Sequence, residues 1–98
     1  MIVSFRDAWL RRFFVDDVES RNIPADLARR LFRKIQLIDD AELDRDLRVP
    51  PSNHLEKLKG HLEGLHSIRV NDRWRLIFEW DGRTGKAKGI YLDDHSHR

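Results

Sequence analysis

The chain has 98 residues, of which 37% are charged and 40% are hydrophobic, and its formal net charge is +2. That length predicts a single domain over residues 1–98, because most domains contain roughly 100–150 residues. No apolar run reaches the roughly 20 residues that a transmembrane helix needs, and the early Arg6 and Asp7 are untypical of a signal peptide. The absence of cysteine excludes disulfides, thiol nucleophiles and cysteine-based zinc sites. We therefore expect a cytoplasmic protein.

The N-terminal half predicts a short strand followed by two amphipathic helices. Residues 2–5 read Ile-Val-Ser-Phe, and from about Asp7 to Val18 apolar residues recur at helical spacing. A second apolar stripe runs to about Asp40 from Pro24, a residue that a first helical turn tolerates. The other face of this second helix is basic and carries Arg29, Arg30, Arg33 and Lys34. We expect the two helices to pack as a hairpin.

The C-terminal half changes to the alternating pattern of β-strands. Two consecutive prolines within residues 44–53 exclude a helix or a central strand there, so we expect a loop. Residues 67–70 and 74–80 flank a short turn and predict an antiparallel hairpin, and residues 88–93 predict a third strand. The order strand, helix, helix and antiparallel meander predicts an α+β architecture, with both helices on one face of a mainly antiparallel sheet.

The two faces of the strand at residues 74–80 differ in chemistry. Side chains alternate across a strand, so one face carries only large apolar side chains: Trp74, Leu76, Phe78 and Trp80. That face is expected to pack on the helices. Arg75 and Ile77 point the other way, toward a face that we expect to be open for a ligand.

Basic and proton-transferring residues are concentrated after residue 50. Between His54 and Leu92 there are eight Lys or Arg against five Asp or Glu, an excess that could bind phosphates or simply keep the surface solvated. Cleaving RNA through its own 2′-hydroxyl needs a base, an acid, cations around the phosphate and in-line geometry. This half of the chain contains those residue types, and the reaction would need no metal. The candidates are His54, Glu56, Lys57, Lys59, His61, His66, Arg69, Arg73, Arg75, Asp93, Asp94, His95 and His97.

Some of these residues have plainer interpretations. His61 and His66 flank a Leu-Glu-Gly-Leu segment and are expected at the surface or in a turn. The tail at residues 93–97 contains Asp and His side chains that could meet one ion, yet no ligand elsewhere in the sequence is indicated. We therefore predict neither a metal site nor a cofactor.

Three segments, taken in order, resemble one family. They read Asn-His-Leu-Glu-Lys-Leu-Lys-Gly at residues 53–60, Ser-Ile-Arg-Val-Asn-Asp-Arg-Trp-Arg-Leu-Ile-Phe at residues 67–78, and Tyr-Leu-Asp-Asp-His at residues 91–95. This order resembles the RelE/ParE toxin superfamily, and within it the HigB group, over essentially the whole chain. The resemblance implies a RelE-like microbial RNase fold and a toxin of a type II toxin–antitoxin system. It also implies cleavage of mRNA on the 70S ribosome, a HigA-type helix-turn-helix antitoxin as partner, and contact with operator DNA only through that antitoxin.

The resemblance also implies roles for particular residues. Arg75 matches the sheet arginine that holds the transition-state phosphate, Lys59 matches a basic residue of the same site, and His95 is a candidate general acid or base. The catalytic set is then His54, Glu56, Lys59, Arg75, Asp93 and His95. Together with the basic residues noted above, the expected RNA contacts are Lys57, Arg69, Arg73, Lys86 and Lys88.

Two positions depart from the family pattern. Glu56 stands where some members have a histidine, so either His54 or Glu56 acts as the base, or the activity is weaker. Asp94 stands where a tyrosine is frequent. Two other functions stay open: a ParE-like inhibitor of DNA gyrase on the same fold, and a catalytically weak homologue that acts mainly in an antitoxin repressor complex. The combination of His95, Arg75 and Lys59 favours RNA cleavage, and because few groups could serve as both acid and base, free RNA should be cut poorly without the ribosome.

Overall fold

The computed structural model describes residues 1–94, in which three α-helices pack with a four-stranded sheet. The helices are α1 (Ala8–Val15), α2 (Ala28–Asp40) and the single-turn α3 (Asp44–Leu47). The strands are β1 (Glu56–Lys57), β2 (Leu65–Arg69), β3 (Trp74–Asp81) and β4 (Lys86–Asp94). Neighbouring strands pair antiparallel in the order β1-β2-β3-β4. The predicted α+β class, with helices against a mainly antiparallel sheet, is confirmed.

Both long helices are shorter than the sequence predicts. α1 ends at Val15 rather than near Val18, and Asp17 has a left-handed φ of 56°, so the helix cannot continue through it. α2 begins at Ala28, because the preceding residues from Pro24 form a separate turn. At 13 residues α2 is the longest helix in the described part of the chain, and no helix there is long and apolar enough to cross a membrane.

Three short elements also differ from expectation. The predicted strand at residues 2–5 is reduced to two parallel bridges along β4, formed by Ile2 and Phe5. The strand β1 has only two residues, too few to produce a visible alternation in the sequence. α3 forms within the predicted loop, and its Leu47 is fully buried.

The apolar face of β3 packs against α2 and forms the core, as the alternation predicts. Leu76 and Phe78 are fully buried and Trp80 is 8% exposed. The buried side chains that α2 contributes are Leu31, Ile35 and Ile38. Their helical spacing forms one continuous stripe, whereas α1 contributes only Leu10 as a buried side chain.

The opposite face of β3 is more enclosed than the sequence analysis expects. Arg75 is 3% exposed and Ile77 is fully buried, as is Ser67 on the neighbouring strand β2. The expectation of an open face is wrong at this end of the sheet, because the segment at residues 54–56 contacts Arg75. Arg75 does lie on the face away from the apolar core, as predicted.

A β-bulge in β4 lets both halves of this strand reach the core. Between Tyr91 and Lys88 the strand takes three residue steps where β3 takes two. Gly89 supplies a positive φ of 64° at this point, which glycine adopts without steric cost. As a result Ala87 and Ile90 are both fully buried although they stand three residues apart.

Candidate functional site

A buried arginine on β3 is the centre of the candidate site. The Arg75 Nε donates to Ser67 Oγ at 2.9 Å, and its Nη2 donates to the His54 carbonyl at 2.9 Å. Nη2 also lies 3.3 Å from Glu56 Oε1. A buried charge requires such partners, because it has lost its hydration shell. The guanidinium is therefore held in one orientation before any ligand arrives.

The strand register places two further charged residues beside Arg75. Arg69 on β2 and Asp93 on β4 are its direct partners across the sheet. Direct partners share a face and have Cβ atoms about 4.5–5.5 Å apart. Glu56 belongs to the adjacent row of the same face, opposite Ser67. This face thus combines two guanidinium groups with two carboxylates, the residue types that can bind a phosphate and transfer protons around it.

A hydrogen-bond network around Asn53 positions the carbonyl that Arg75 contacts. Asn53 is fully buried, and its Nδ2 donates to the carbonyls of Leu47 at 3.1 Å and Val49 at 3.2 Å. Lys34 of α2 donates to Asn53 Oδ1. The next residue, His54, has a left-handed backbone with φ of 45° and ψ of 55°, a region that histidine tolerates better than most residues. The backbone of His54 is thereby fixed, whereas the residue as a whole is exposed.

Glu56 and Lys57 lie on opposite faces of the sheet although they are adjacent in sequence. Glu56 stands opposite Ser67 and contacts Arg75, whereas Lys57 stands opposite His66. The Glu56 side chain is 52% exposed, so it can meet a ligand from solvent while it touches the buried guanidinium. Lys57 lies on the helix-facing side and does not join the Arg75 cluster.

His66 is not the surface or turn residue that the sequence analysis expects. It lies within β2, is half-buried, and stacks on Phe78 with ring centroids 6.3 Å apart. Burial lowers the pKa of His66, and the positive charge of Lys57 lowers it further. Its Nδ1 is buried without a hydrogen-bond partner among residues 1–94. The neutral ring is therefore part of the packing on the helix-facing side, whereas His61 lies exposed in a turn, as expected.

Arg73 is exposed and paired with the second carboxylate of the C-terminal strand. Its Nε and Nη2 donate to Asp94 Oδ2 at 3.0 and 2.8 Å, and this hydrogen bond raises the pKa of Arg73. Asp94, at the position where the family often has tyrosine, thus makes a specific contact of its own. It is the cross-strand partner of Trp74 and lies on the face opposite to that of Arg75 and Asp93.

The remaining predicted site residues are dispersed. Lys88 and Lys86 pair with Glu79 and Asp81, four and six residues along β3 from Arg75, which at about 3.4 Å per residue is roughly 14 and 20 Å away. Lys59 is exposed before a short 3-10 turn and forms no hydrogen bond or ion pair with the cluster within residues 1–94. His95 lies outside the described residues.

Three residues that hold the Arg75 cluster through hydrogen bonds were absent from the sequence prediction. Ser67 accepts the Arg75 Nε, and Asn53 with Lys34 holds the segment that precedes His54. The alternation of the strand at residues 67–70 puts Ser67 on the face opposite Ile68, a signal that could have identified it, while no local pattern marks Asn53. Among the described residues, no group of three or more His, Asp or Glu side chains could hold a metal ion.

The fold and this arginine-centred face together define a class of small RelE-like proteins. A family model described as the RelE-like toxin of the type II toxin–antitoxin system HigB matches residues 3–95. The chain therefore belongs to the family of RelE-like HigB toxins, and membership of a type II system implies an antitoxin partner.

Curated relatives agree with that assignment. Toxin HigB-1 of Vibrio cholerae is 45% identical over 99% of this chain and 100% of its own length. An uncharacterized protein of Haemophilus influenzae is 40% identical over 95% of this chain and 90% of its own length. Endoribonuclease HigB of Proteus vulgaris is 36% identical over 82% of this chain and 85% of its own length.

A solved structure supports the fold. A YoeB/ParE toxin from Agrobacterium tumefaciens superposes with a TM-score of 0.52 and covers 94% of this chain and 96% of its own. Sequence identity is 18%, so this similarity concerns the architecture alone. The predicted RelE-like fold is confirmed by the family match together with this superposition.

Proposed function

We propose that this protein is a metal-independent endoribonuclease that cleaves mRNA on the ribosome, with Arg75 holding the scissile phosphate. The observation that carries the proposal is the buried Arg75 guanidinium, fixed by Ser67 and the His54 carbonyl and flanked by carboxylates on the same face. The similarity of the chain to a protein named Endoribonuclease HigB supports RNA as the substrate class.

Glu56 is the proposed general base. Its carboxylate lies 3.3 Å from Arg75 Nη2 and is half exposed, so a 2′-hydroxyl beside a bound phosphate would come within its reach. It removes the 2′-hydroxyl proton as the 2′-oxygen attacks phosphorus, and the bond to the 5′-oxygen breaks. Of the two bases that the sequence left open, Glu56 is favoured over His54 because Glu56 contacts Arg75 with its carboxylate, whereas His54 contacts Arg75 through its backbone carbonyl.

The leaving 5′-oxygen needs a proton, and we propose that His95 donates it. Asp93 belongs to the same proposed catalytic set. Asp93 is the direct cross-strand partner of Arg75, and His95 follows it two positions later in the sequence. Imidazole has an ordinary pKa of about 6.5 and therefore exchanges protons readily near neutral pH. Lys59 remains a proposed catalytic residue, and the proposed RNA contacts remain Lys57, Arg69, Arg73, Lys86 and Lys88.

We propose that the occupied state of Arg75 makes cleavage depend on the ribosome. An incoming phosphate competes with the Glu56 carboxylate and the His54 carbonyl for the same guanidinium. Such competition weakens binding of flexible RNA, whereas a substrate held in line can gain roughly 7–11 kcal/mol from positioning. We propose the 70S ribosome and mRNA as partners in the cytoplasm and a HigA-type helix-turn-helix antitoxin as inhibitor, through which alone operator DNA is contacted.

The test is to map cleavage of a defined mRNA on purified programmed ribosomes. We expect cuts within translated codons with the wild-type protein, far slower cutting with Arg75→Ala, and wild-type cutting with Arg21→Ala, an exposed residue in the turn before α2. Naked RNA should be cut poorly with or without EDTA. Intact mRNA together with inhibition of DNA gyrase would instead favour the ParE-like activity, and intact mRNA without such inhibition would favour the catalytically weak homologue.

A further inference from the structure

A basic groove lies between α2 and the β2–β3 turn, next to the Arg75 site. Its volume is about 490 Å³, and four of its lining residues are cationic: Arg30, Arg33, Lys34 and Arg69. None of the three residues from α2 belongs to the predicted catalytic or RNA-binding set. The proposed cleavage mechanism therefore assigns no role to the α2 cations of this groove.

The helix geometry brings the three α2 cations together. Arg30, Arg33 and Lys34 stand at positions i, i+3 and i+4, which are neighbours on one face of a helix. The pKa of Lys34 is lowered, first because its ammonium group is partly buried and then because the positive charge of Arg30 lies close to it. Such a concentration of like charge favours an anion in the groove.

Few carboxylates neutralise this charge. Asp72 is the only acidic residue of residues 1–94 that lines the groove, and it is fully exposed at 3.9 Å from Arg69. Within residues 1–94, neither Arg30 nor Arg33 has an ion pair at 4.0 Å or less. Both guanidinium groups are exposed and available to a polyanion.

Arg69 links the groove to the Arg75 site. Arg69 lines the groove and is also the direct cross-strand partner of Arg75. Ser52 lines it from the other side, two residues before the His54 carbonyl that contacts Arg75. A polyanion that contacts both Arg75 and Arg69 would therefore lie next to the cations of α2.

We infer that this groove binds consecutive phosphates of the RNA strand whose scissile phosphate is held by Arg75. The inference rests on the proposed function. An RNA backbone fits better than an acidic protein segment, because protein interfaces centre on buried apolar anchors, and the larger apolar side chains of this groove are only Leu37 and Val70 among the described residues. Arginine is also well suited to phosphate, since its planar fork can bind two oxygens at once.

The first test measures binding without cleavage. The probe is a single-stranded oligoribonucleotide with 2′-O-methyl at every position, which cannot be cut through the 2′-oxygen, and its affinity is followed by fluorescence anisotropy across a salt series. The groove variant is Arg30→Gln/Arg33→Gln, which spares Lys34 because that residue holds Asn53. The matched control is Arg21→Gln/Arg29→Gln, which removes the same charge from exposed positions outside the groove.

We expect the groove variant to bind more weakly and to lose about 1.4 from the slope of log affinity against log salt, because each lost phosphate contact in single strands contributes about 0.7. The control should keep the wild-type slope. Equal slopes in both variants, or wild-type protein without salt-dependent binding, would overturn the inference for the substrate strand.

A second arm separates messenger RNA from ribosomal RNA as the source of the phosphates. Vacant ribosomes contain ribosomal RNA but no messenger RNA. If the groove variant loses affinity for vacant ribosomes while its oligonucleotide binding is unchanged, the groove binds ribosomal RNA and the inference is contradicted. Loss of antitoxin binding alone would also contradict it. Arg75→Ala should still bind the oligonucleotide through the groove. If wild-type protein binds the oligonucleotide through the groove but never cleaves programmed mRNA, the proposed function fails, and what stands is the binding of RNA phosphates by the groove.

Discussion

Both faces of β3 are buried in the middle of the strand, but they serve different purposes. Leu76 and Phe78 are fully buried against the helices, and one residue away Arg75 is 3% exposed on the other side. Apolar burial is non-directional and stabilises in proportion to the area removed from water. The burial of Arg75 instead depends on directional hydrogen bonds, which its Nε and Nη2 donate to Ser67 Oγ and the His54 carbonyl. One strand thus separates stability on one face from a fixed, preorganised cation on the other.

The largest expected effect is on the apolar face. Phe78→Ala should lower the free energy of unfolding by about 3–5 kcal/mol, because it removes a fully buried aromatic ring and leaves a cavity. That is a large part of the roughly 5–15 kcal/mol of a typical domain. Urea unfolding followed by circular dichroism gives the value. Phe32→Ala is the control, since this ring is 38% exposed, and an equal loss in both variants would contradict the assignment of the core.

The polar face should lose activity rather than stability. Glu56→Gln keeps the shape of the side chain but removes the proposed base, and loss of a general base typically lowers rates by about 10²–10⁴-fold. Single-turnover cleavage on programmed ribosomes across pH should show the acidic limb of the wild-type profile disappear. His54→Gln is the matched comparison. If His54→Gln abolishes that limb and Glu56→Gln does not, the two assignments must be exchanged.

Substitution of the buried Arg75 should lower the cleavage rate, whereas substitution of the exposed Arg73 should lower the binding affinity. Arg75→Ala should lower the single-turnover rate by about 10²–10³-fold with little change in ribosome affinity, as expected for a preorganised charge that acts in the transition state. Arg73→Ala should weaken binding and reduce its salt dependence, because an exposed cation contributes through counterion release. Equal changes in rate and affinity for both variants would show that burial does not separate their roles.

The same contrast explains which features the sequence could reveal. The core was predictable because alternation along β3 and the stripe on α2 are local patterns that depend only on burial. Arg75 and Glu56 could be identified as candidates, but their pairing at 3.3 Å depends on β1, whose two residues have no readable period. The opposite placement of Lys57 follows from the register of that same strand.

The parts that escaped prediction are tertiary hydrogen bonds. Asn53 is fully buried because its amide donates to carbonyls at the end of α3 and in the loop after it, and accepts a bond from Lys34, nineteen residues earlier. Nothing in the composition of that loop specifies such partners. The dispersal of Lys86 and Lys88 likewise follows from how far β3 and β4 extend beyond Arg75, which a count of basic residues cannot reveal.

Ser67 tests whether the orientation of Arg75 matters as much as its charge. Ser67→Ala removes the acceptor of Arg75 Nε, and hydrogen bonds to charged groups contribute about 1.5–3 kcal/mol. We expect roughly a tenfold or larger fall in single-turnover rate with ribosome affinity retained. In the Arg75→Ala background the same change should have no further effect, because its partner is gone. Additive losses in the double variant would mean that Ser67 acts independently of Arg75.

The smallest expected effect is a pH dependence of stability that comes from the apolar side of the sheet. Burial, with the charge of Lys57, lowers the pKa of His66 in the folded protein, so the unfolded chain binds a proton more readily at this residue. Stability from the neutral ring is therefore present above the ordinary histidine pKa of about 6.5 and is lost as the pH falls through that value toward the lower, folded pKa. Urea unfolding of wild-type protein, His66→Gln and the exposed control His61→Gln across this range measures the contribution. We expect His66→Gln to flatten the decline on acidification and His61→Gln to leave it unchanged. Parallel declines in all three proteins would mean that protonation of His66 does not change the free energy of unfolding, although its Nδ1 is buried.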